Sequence, residues 1–119
     1  TCTFCGDLLT VEYRYSELPS DLDGLWGKRP LSVWRYRELL PILDAEKIVS
    51  LGEGGTGLHL CKRMAERLGL RQLYVKNEGE NPTGSFKDRG MTVGVTRALE
   101  LVMQRVACAS TGNTSFSLA

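Results

Sequence analysis

A tight turn placed directly before a helix start is the feature that most constrains the fold of this chain. Residues 81–84 have the sequence Asn-Pro-Thr-Gly, which suits a type I turn, because Pro82 fixes φ at the second position and Gly84 relieves the exit. Ser85 can then cap a helix, and its spacing from Asp88 fits the capping-box pattern, with Asp in place of the usual Glu. The sequence therefore predicts a turn followed at once by a helix.

This helix belongs to a regular alternation of strands and helices. Its apolar residues recur at the spacing of one helical face: Met91, Val95, Ala98, Leu99, Val102 and Met103. Strands are predicted at residues 48–51, 72–76 and 105–109. Two further helices are predicted, one with apolar residues at Cys61, Met64, Ala65 and Leu68 that Gly69 closes, and one from Asn113 onward. Such alternation is typical of α/β proteins, so we expect a doubly wound, mostly parallel sheet with ligands beyond the carboxyl ends of its strands.

The first part of the chain, residues 1–46, is predicted to form a separate N-terminal segment. Within it, residues 7–15 alternate loosely between apolar and polar side chains and predict a strand or hairpin arm. Residues 16–31 are rich in Pro, Gly, Ser and Asp and predict a loop, which leads into a helix at residues 32–40 that Pro41 ends.

Four cysteines occur, and two of them have the spacing of a zinc knuckle. These are Cys2 and Cys5, whereas Cys61 and Cys108 stand alone in apolar segments and are expected to be buried small hydrophobes. Structural zinc sites use four protein ligands, and one knuckle supplies two. We therefore predict no metal site formed by this chain alone.

The charge pattern excludes several classes of partner. The net charge is +1 with both signs interspersed, so no basic surface for nucleic acid is expected. No apolar run has the length of a membrane span, and the N-terminus lacks the regions of a signal peptide. We expect a cytoplasmic protein whose partner is a small molecule.

Lys87 is the residue with the most distinctive predicted environment. It falls in the first turn of the helix, where unpaired N–H groups and the positive end of the helix dipole favour the neutral, nucleophilic form of an amine. The alternative is a solvated surface lysine. The turn and cap around it favour the reactive role.

Residues 81–90 resemble the cofactor-lysine motif of the fold-type II pyridoxal-phosphate enzymes. Their sequence, Asn-Pro-Thr-Gly-Ser-Phe-Lys-Asp-Arg-Gly, is most similar to that of the threonine synthase family. Residues 109–115, Ala-Ser-Thr-Gly-Asn-Thr-Ser, resemble the second signature of that family. The resemblance implies that residues 47–119 are the beginning of the catalytic domain. It also implies that the groups holding the cofactor's phosphate and pyridine nitrogen lie beyond Ala119, so that this fragment alone is inactive.

The resemblance also implies roles for individual residues. Lys87 would hold pyridoxal 5'-phosphate as a Schiff base and serve as the catalytic base, and Asn113 would hydrogen-bond the phenolic oxygen of the cofactor. The substrate's carboxylate would be bound by Ser110, Thr111, Asn113 and Thr114. For the three hydroxyl residues, ordinary helix capping is the alternative role.

The activity implied by the resemblance is that of a lyase of threonine biosynthesis, which converts O-phosphohomoserine and water to threonine and phosphate, with a homodimer as a possible assembly. Another fold-type II lyase, such as a serine/threonine dehydratase, would use an equivalent lysine, and a non-catalytic module is the alternative outside enzymes. Some members of the family carry two knuckles in tandem, so zinc binding by Cys2 and Cys5 with an upstream knuckle stays open.

A rival motif lies at residues 52–57, Gly-Glu-Gly-Gly-Thr-Gly, which satisfies the dinucleotide-binding pattern. On that hypothesis a helix starting near Leu58 would carry the pyrophosphate, and Glu78 would bind the ribose. The same loop resembles a stretch near the start of the threonine synthase catalytic region, although the family usually has Asn and Pro where this chain has Gly55 and Gly57. Phe116 is a further departure, expected either to anchor the core or to crowd the helix after Asn113.

Overall fold

The computed structural model describes residues 1–119, which form four α-helices and two short β-strands. In chain order these are α1 (Leu22–Gly27), β1 (Leu58–Leu60), α2 (Lys62–Arg67), β2 (Tyr74–Lys76), α3 (Lys87–Glu100) and α4 (Asn113–Leu118). Four 3-10 segments lie at Tyr15–Glu17, Val33–Leu39, Ala45–Lys47 and Glu78–Glu80. The protein is therefore a small mixed α/β structure in which α3 is the longest element.

The sheet consists of two antiparallel strands, with Leu58 of β1 opposite Lys76 of β2. The predicted strand at residues 72–76 is confirmed in part as β2, whereas β1 lies where a helix was expected. No parallel pairing occurs, and the predicted strands at residues 48–51 and 105–109 are irregular. Parallel sheets are buried on both faces and need neighbouring strands. Two paired three-residue strands, both exposed, do not supply that environment.

Few apolar side chains are buried. Only Val33, Trp34 and Ala65 among the apolar residues are buried, and the radius of gyration is 17.8 Å. A compact domain of this length has a radius of gyration of about 13.5 Å. The accessible surface is 9120 Å², compared with about 6,400 Å² for a compact monomer of this size. Apolar burial in this structure is therefore small, and eight of the 11 buried residues are polar or charged.

Helix α3 confirms the predicted helix after the turn, but its buried face is not the predicted one. The fully buried side chains of α3 are Asp88, Thr92 and Thr96, which recur every four residues along one face. The predicted apolar face is half-buried or exposed. The helix ends at Glu100, and Val102 adopts a left-handed φ of 57°, so Val102 and Met103 lie outside it.

The N-terminal segment differs from its prediction at several points. Residues 7–15 form no strand, the predicted helix at residues 32–40 is a 3-10 segment bent at Tyr36, and α1 lies inside the predicted loop. Helix α1 forms because the Asp21 side chain accepts a hydrogen bond of 2.9 Å from the backbone N–H of Gly24, which is a regular N-cap.

Two further expectations concern the burial of the lone cysteines and the ability of a helix to cross a membrane. Cys61 is half-buried and Cys108 is exposed, so the expectation that both are buried is wrong. None of the helices combines the length and the apolar character that crossing a bilayer requires.

Candidate active site

The predicted turn and cap form directly before Lys87. The backbone carbonyl of Asn81 accepts a hydrogen bond of 2.7 Å from the N–H of Gly84, and Gly84 has a φ of 77°, which glycine adopts without strain. The Ser85 hydroxyl accepts a hydrogen bond of 3.2 Å from the backbone N–H of Lys87. Lys87 is thus the first residue of α3, with Phe86 at the N-cap position and the Ser85 hydroxyl, one residue earlier, bonded to the N–H of Lys87.

The predicted capping box is wrong in its second half. The carboxylate of Asp88 makes no bond to Ser85 and accepts hydrogen bonds from the backbone N–H of Thr83 at 2.8 Å and from the Thr83 hydroxyl at 2.5 Å. It also accepts a hydrogen bond of 2.6 Å from the hydroxyl of Ser117. Burial raises the pKa of Asp88, but the hydrogen bonds from Ser117 and Thr83 outweigh it, so that the pKa is lowered.

The Lys87 amine has no hydrogen-bond or ion-pair partner. The side chain is half-buried, and Nζ lies 4.6 Å from the centroid of the Phe86 ring. A primary amine without a polar partner, on a residue fixed by a turn and a cap, is available to bond with an aldehyde carbon. The residues present therefore fit the aldehyde end of pyridoxal phosphate.

The second group of predicted site residues lies at the start of α4. Asn113 is the first residue of this helix and is exposed, Thr111 is exposed, and Ser110 and Thr114 are half-buried. The Ser110 hydroxyl accepts a hydrogen bond of 3.2 Å from the N–H of Gly112. The N-cap residue of α4 is Gly112, which offers no capping side chain, so the Ser110 hydroxyl is the one that engages an N–H at this helix start.

Helices α3 and α4 pack against each other, which brings the two predicted groups into one region. The contact includes the Ser117–Asp88 hydrogen bond and a cavity of about 260 Å³ lined in part by Met91, Val95 and Phe116. Phe116 is 67% exposed, so the expectation that it anchors the core is wrong. The structure places Lys87 and Asn113 at the first residues of two packed helices, with no hydrogen bond between them.

Sequence analysis missed an ion pair that ties the glycine-rich loop to α3. Arg89 donates to Glu78 through Nε at 2.7 Å and Nη2 at 2.9 Å, and the hydroxyl of Thr56 donates to Glu78 at 2.7 Å. The Arg89 guanidinium, followed by the Thr56 hydroxyl, lowers the pKa of Glu78 to about 2 against a smaller opposing effect of burial. Glu78 is therefore engaged within the protein.

A second missed residue, Glu53, fixes the start of the same loop. It is fully buried, and its carboxylate accepts hydrogen bonds from the Thr92 hydroxyl at 2.6 Å, the Ser50 hydroxyl at 3.0 Å and the backbone N–H of Leu51 at 2.7 Å. The side-chain oxygen of Asn81 accepts a hydrogen bond of 3.0 Å from the N–H of Gly54. The loop is thereby bound both to α3 and to the turn before Lys87.

This geometry contradicts the dinucleotide hypothesis. Strand β1 follows the loop, so that the next helix starts at Lys62 rather than near Leu58. A Cβ atom on Gly54 would lie 2.7 Å from the backbone nitrogen of Val33, and one on Gly55 would lie 2.3 Å from the carbonyl oxygen of Leu31. The glycines are required by the packing of the chain on itself.

The N-terminal cysteine pair forms a compact turn. The N–H of Gly6 donates to the carbonyl of Cys2 at 2.9 Å, and Gly6 has a φ of 76°. Hydrogen bonds from the backbone N–H groups of Cys5 and Phe4 lower the pKa of the Cys2 thiol. No group of three or more His, Cys, Asp or Glu side chains is arranged to hold a metal ion. Zinc binding by Cys2 and Cys5 together with ligands from an upstream knuckle stays a prediction.

Comparison with known proteins gives consistent matches. The sequence profile of the family described as "Pyridoxal-phosphate dependent enzyme" matches residues 49–119. The chain is 59% identical over 120 residues to the threonine synthase of Methanocaldococcus jannaschii and 58% identical over 119 residues to that of Methanosarcina acetivorans, in each case over 100% of this chain and 29% of the relative. It is 45% identical over 94 residues to the threonine synthase of Halalkalibacterium halodurans, over 75% of this chain and 26% of the relative. The chain thus spans about 29% of the length of the first two relatives.

Proposed function

The chain belongs to the pyridoxal-phosphate dependent enzyme family, and from that membership we propose that it contributes the cofactor lysine to a threonine synthase. The proposed reaction converts O-phosphohomoserine and water to threonine and phosphate. The observation that carries the proposal is the 59% identity to a threonine synthase along the whole of this chain, including the turn and helix that present Lys87.

Lys87 is proposed to act first as a nucleophile and then as a base. When bound, pyridoxal phosphate withdraws electrons from the α-carbon of an amino-acid substrate. The Nζ of Lys87 would hold the cofactor through its aldehyde carbon, with water as the leaving group, and once released by the substrate's amine it would serve as the base for the proton on the substrate's α-carbon. The unpartnered state of this amine supports both roles, because no hydrogen bond or ion pair must be broken first.

Asn113 and its neighbours are proposed to orient the reactants. The amide of Asn113, exposed and without a partner at the start of α4, donates to the phenolic oxygen of the cofactor. The hydroxyls of Ser110, Thr111 and Thr114, together with Asn113, bind the substrate's carboxylate. The position of Asn113 and Thr114 in the first turn of α4, which begins without a capping side chain at Gly112, supports this assignment.

The finer architecture is also a proposal. We propose a doubly wound, mostly parallel sheet in the full-length protein, to which residues 47–119 contribute, beside an N-terminal segment of residues 1–46. The family match over residues 49–119 supports a boundary near residue 47. A homodimeric assembly and a cytoplasmic location, expected from the sequence, stay predictions.

Reductive trapping tests the proposal in the full-length protein. Borohydride treatment in the presence of pyridoxal phosphate makes the bond between amine and cofactor permanent, and peptide mapping then locates it. We expect the label on Lys87, its loss in Lys87→Ala, and its persistence in Lys76→Ala, since the Lys76 amine already donates to the carbonyl of Thr56.

Product analysis separates this proposal from its alternatives. Threonine formed from O-phosphohomoserine supports it, whereas a keto acid formed from serine or threonine would indicate a dehydratase. A label on a lysine other than Lys87 would overturn the assignment of the residue.

A further inference from the structure

A buried carboxylate of α3, next to Lys87 in the sequence, is held by neutral hydrogen-bond donors and not by an ion pair. Asp88 is 0% exposed and forms no ion pair, and its three hydrogen-bond donors are all neutral: the N–H and the hydroxyl of Thr83, and the hydroxyl of Ser117. A fully buried charge is costly unless several donors satisfy it. Its position directly after Lys87 points to a role that depends on the carboxylate.

Asp88 and the two residues that donate to it come from the segments that carry the proposed site. Thr83 lies in the turn before Lys87, Asp88 follows Lys87 in the first turn of α3, and Ser117 lies on α4. On α4, Ser117 is four residues after Asn113, so both side chains lie on the same face, about 6 Å apart along the axis. The hydrogen bond at Ser117 therefore restrains the helix that presents Asn113.

We propose that Asp88 and Ser117 form a positioning pair that sets the place of Asn113 relative to the Lys87 amine. This inference rests on the proposed function and adds two residues to it. Asp88 accepts from the turn through both of its oxygens and from α4 through one of them, so a single side chain couples the two groups. A carboxylate suits this role because it only accepts hydrogen bonds, and each of its three partners here donates.

The apolar surroundings do not fix the same geometry. The cavity of about 260 Å³ lies beside Ser117 and Met91, so the contact between the helices is not closely packed at this point. Without the hydroxyl of Ser117, α4 can shift against α3. A displacement of about 1 Å is sufficient to slow catalysis substantially, up to about 100-fold.

The test compares four variants of the full-length protein. Ser117→Ala removes the link to α4 and leaves both Thr83 bonds intact, whereas Ser117→Thr keeps the hydroxyl and places its extra methyl group toward the adjoining cavity. Asp88→Asn replaces an acceptor with an amide donor. Thr96→Val is the control, because it removes a fully buried hydroxyl of α3 more than two turns from Lys87, one that donates to the carbonyl of Thr92 at 2.8 Å and accepts from the N–H of Val49 at 3.0 Å.

The readouts are kcat and KM for threonine formation, the absorbance spectrum and pH titration of the bound cofactor, and the melting temperature. We expect Ser117→Ala to lower kcat about 10-fold or more and to shift the cofactor's pH titration, Ser117→Thr to recover both, and Asp88→Asn to lose more than Ser117→Ala. Thr96→Val should change only the melting temperature.

Two results overturn the inference. If Ser117→Ala behaves as Thr96→Val does, with normal kcat and cofactor titration, the hydrogen bond is only structural. If Ser117→Thr is as impaired as Ser117→Ala, the hydroxyl is not what positions α4. Should Asp88→Asn fail to fold, the Ser117 variants decide the question alone. A wild-type protein that neither binds the cofactor nor forms threonine would overturn the proposed function itself, and this inference with it.

Discussion

Replacement of Glu78 tests whether the ion pair with Arg89 holds the glycine-rich loop. The pKa of Glu78 is lowered from 4.5 to about 2 by the hydrogen bonds from Arg89 and Thr56, a difference that corresponds to about 3 kcal/mol. The side chains of Arg89 and Glu78 are 32% and 31% exposed, so screening by solvent reduces the expected contribution to about 1 kcal/mol. Glu78→Gln should lower the free energy of unfolding by that amount at neutral pH.

The sign of the pH dependence follows from the direction of the shift. Because the pKa in the folded state is below that of the unfolded chain, the contribution of Glu78 is fully present above about pH 4.5. It is lost as the pH falls from 4.5 toward 2. The difference in stability between wild type and Glu78→Gln should therefore be largest near pH 7 and decrease below pH 4.5.

Urea unfolding of the full-length protein at a series of pH values from 7 to 3 provides the measurement. Glu12→Gln is the matched control, since Glu12 is exposed and makes no ion pair. Arg89→Gln and the double variant complete a cycle, from which the coupling between the two residues is obtained. A stability difference that stays constant across this pH range, or a coupling near zero, would refute the reasoning.

Substitutions at two glycines and at Asn113 probe the backbone strain, the helix propensity and the cofactor contact. Gly55→Ala should lower the free energy of unfolding by about 2 kcal/mol or more, because the new Cβ would lie 2.3 Å from the carbonyl oxygen of Leu31 at a φ of 63°. Gly94→Ala, with nothing within 4 Å of its Cβ and a place inside α3, should instead raise it by about 0.5 to 1 kcal/mol, and chemical denaturation of both variants checks the pair. Asn113→Ala should shift the spectrum and pH titration of the bound cofactor and slow turnover, since a charge-assisted hydrogen bond contributes about 1.5 to 3 kcal/mol, while the melting temperature changes little. If Asn113→Ala unfolds while the protein that remains folded keeps normal spectra and turnover, Asn113 is a structural residue.

The parts of the structure that sequence analysis predicted correctly are those that local signals determine. The turn at residues 81–84 depends on proline and glycine within four residues, and the cap on α3 depends on the hydroxyl of Ser85 next to the helix start. The end of α2 near Gly69, which has a φ of 65°, was predicted from the glycine itself. Each of these features is decided by residues close together in sequence.

The incorrect predictions concern contacts between distant residues. Strand β1 forms because Leu58–Leu60 pairs with Tyr74–Lys76, and nothing within the first segment indicates that partner. The spacing of Asp88 from Ser85 predicted a capping box, but the Asp88 carboxylate accepts a hydrogen bond from Ser117, 29 residues further along the chain. The buried face of α3 was missed for the same reason, because side chains such as Thr92 are placed in a core only when a distant partner, here Glu53, satisfies them.

These contacts predict that the region around Lys87 is more sensitive to the loss of polar side chains than to the loss of apolar ones. The buried side chains around the first turns of α3 include Glu53, Asn81 and Asp88, and each accepts a hydrogen bond from another segment. Removing one partner leaves a buried donor or acceptor unsatisfied, which costs about 1 to 3 kcal/mol. Truncation of an exposed apolar residue such as Leu99 exposes no such group. Substitutions that abolish hydrogen bonds in this cluster should therefore displace Lys87 and Asn113 before they unfold α3, whose backbone hydrogen bonds remain intact.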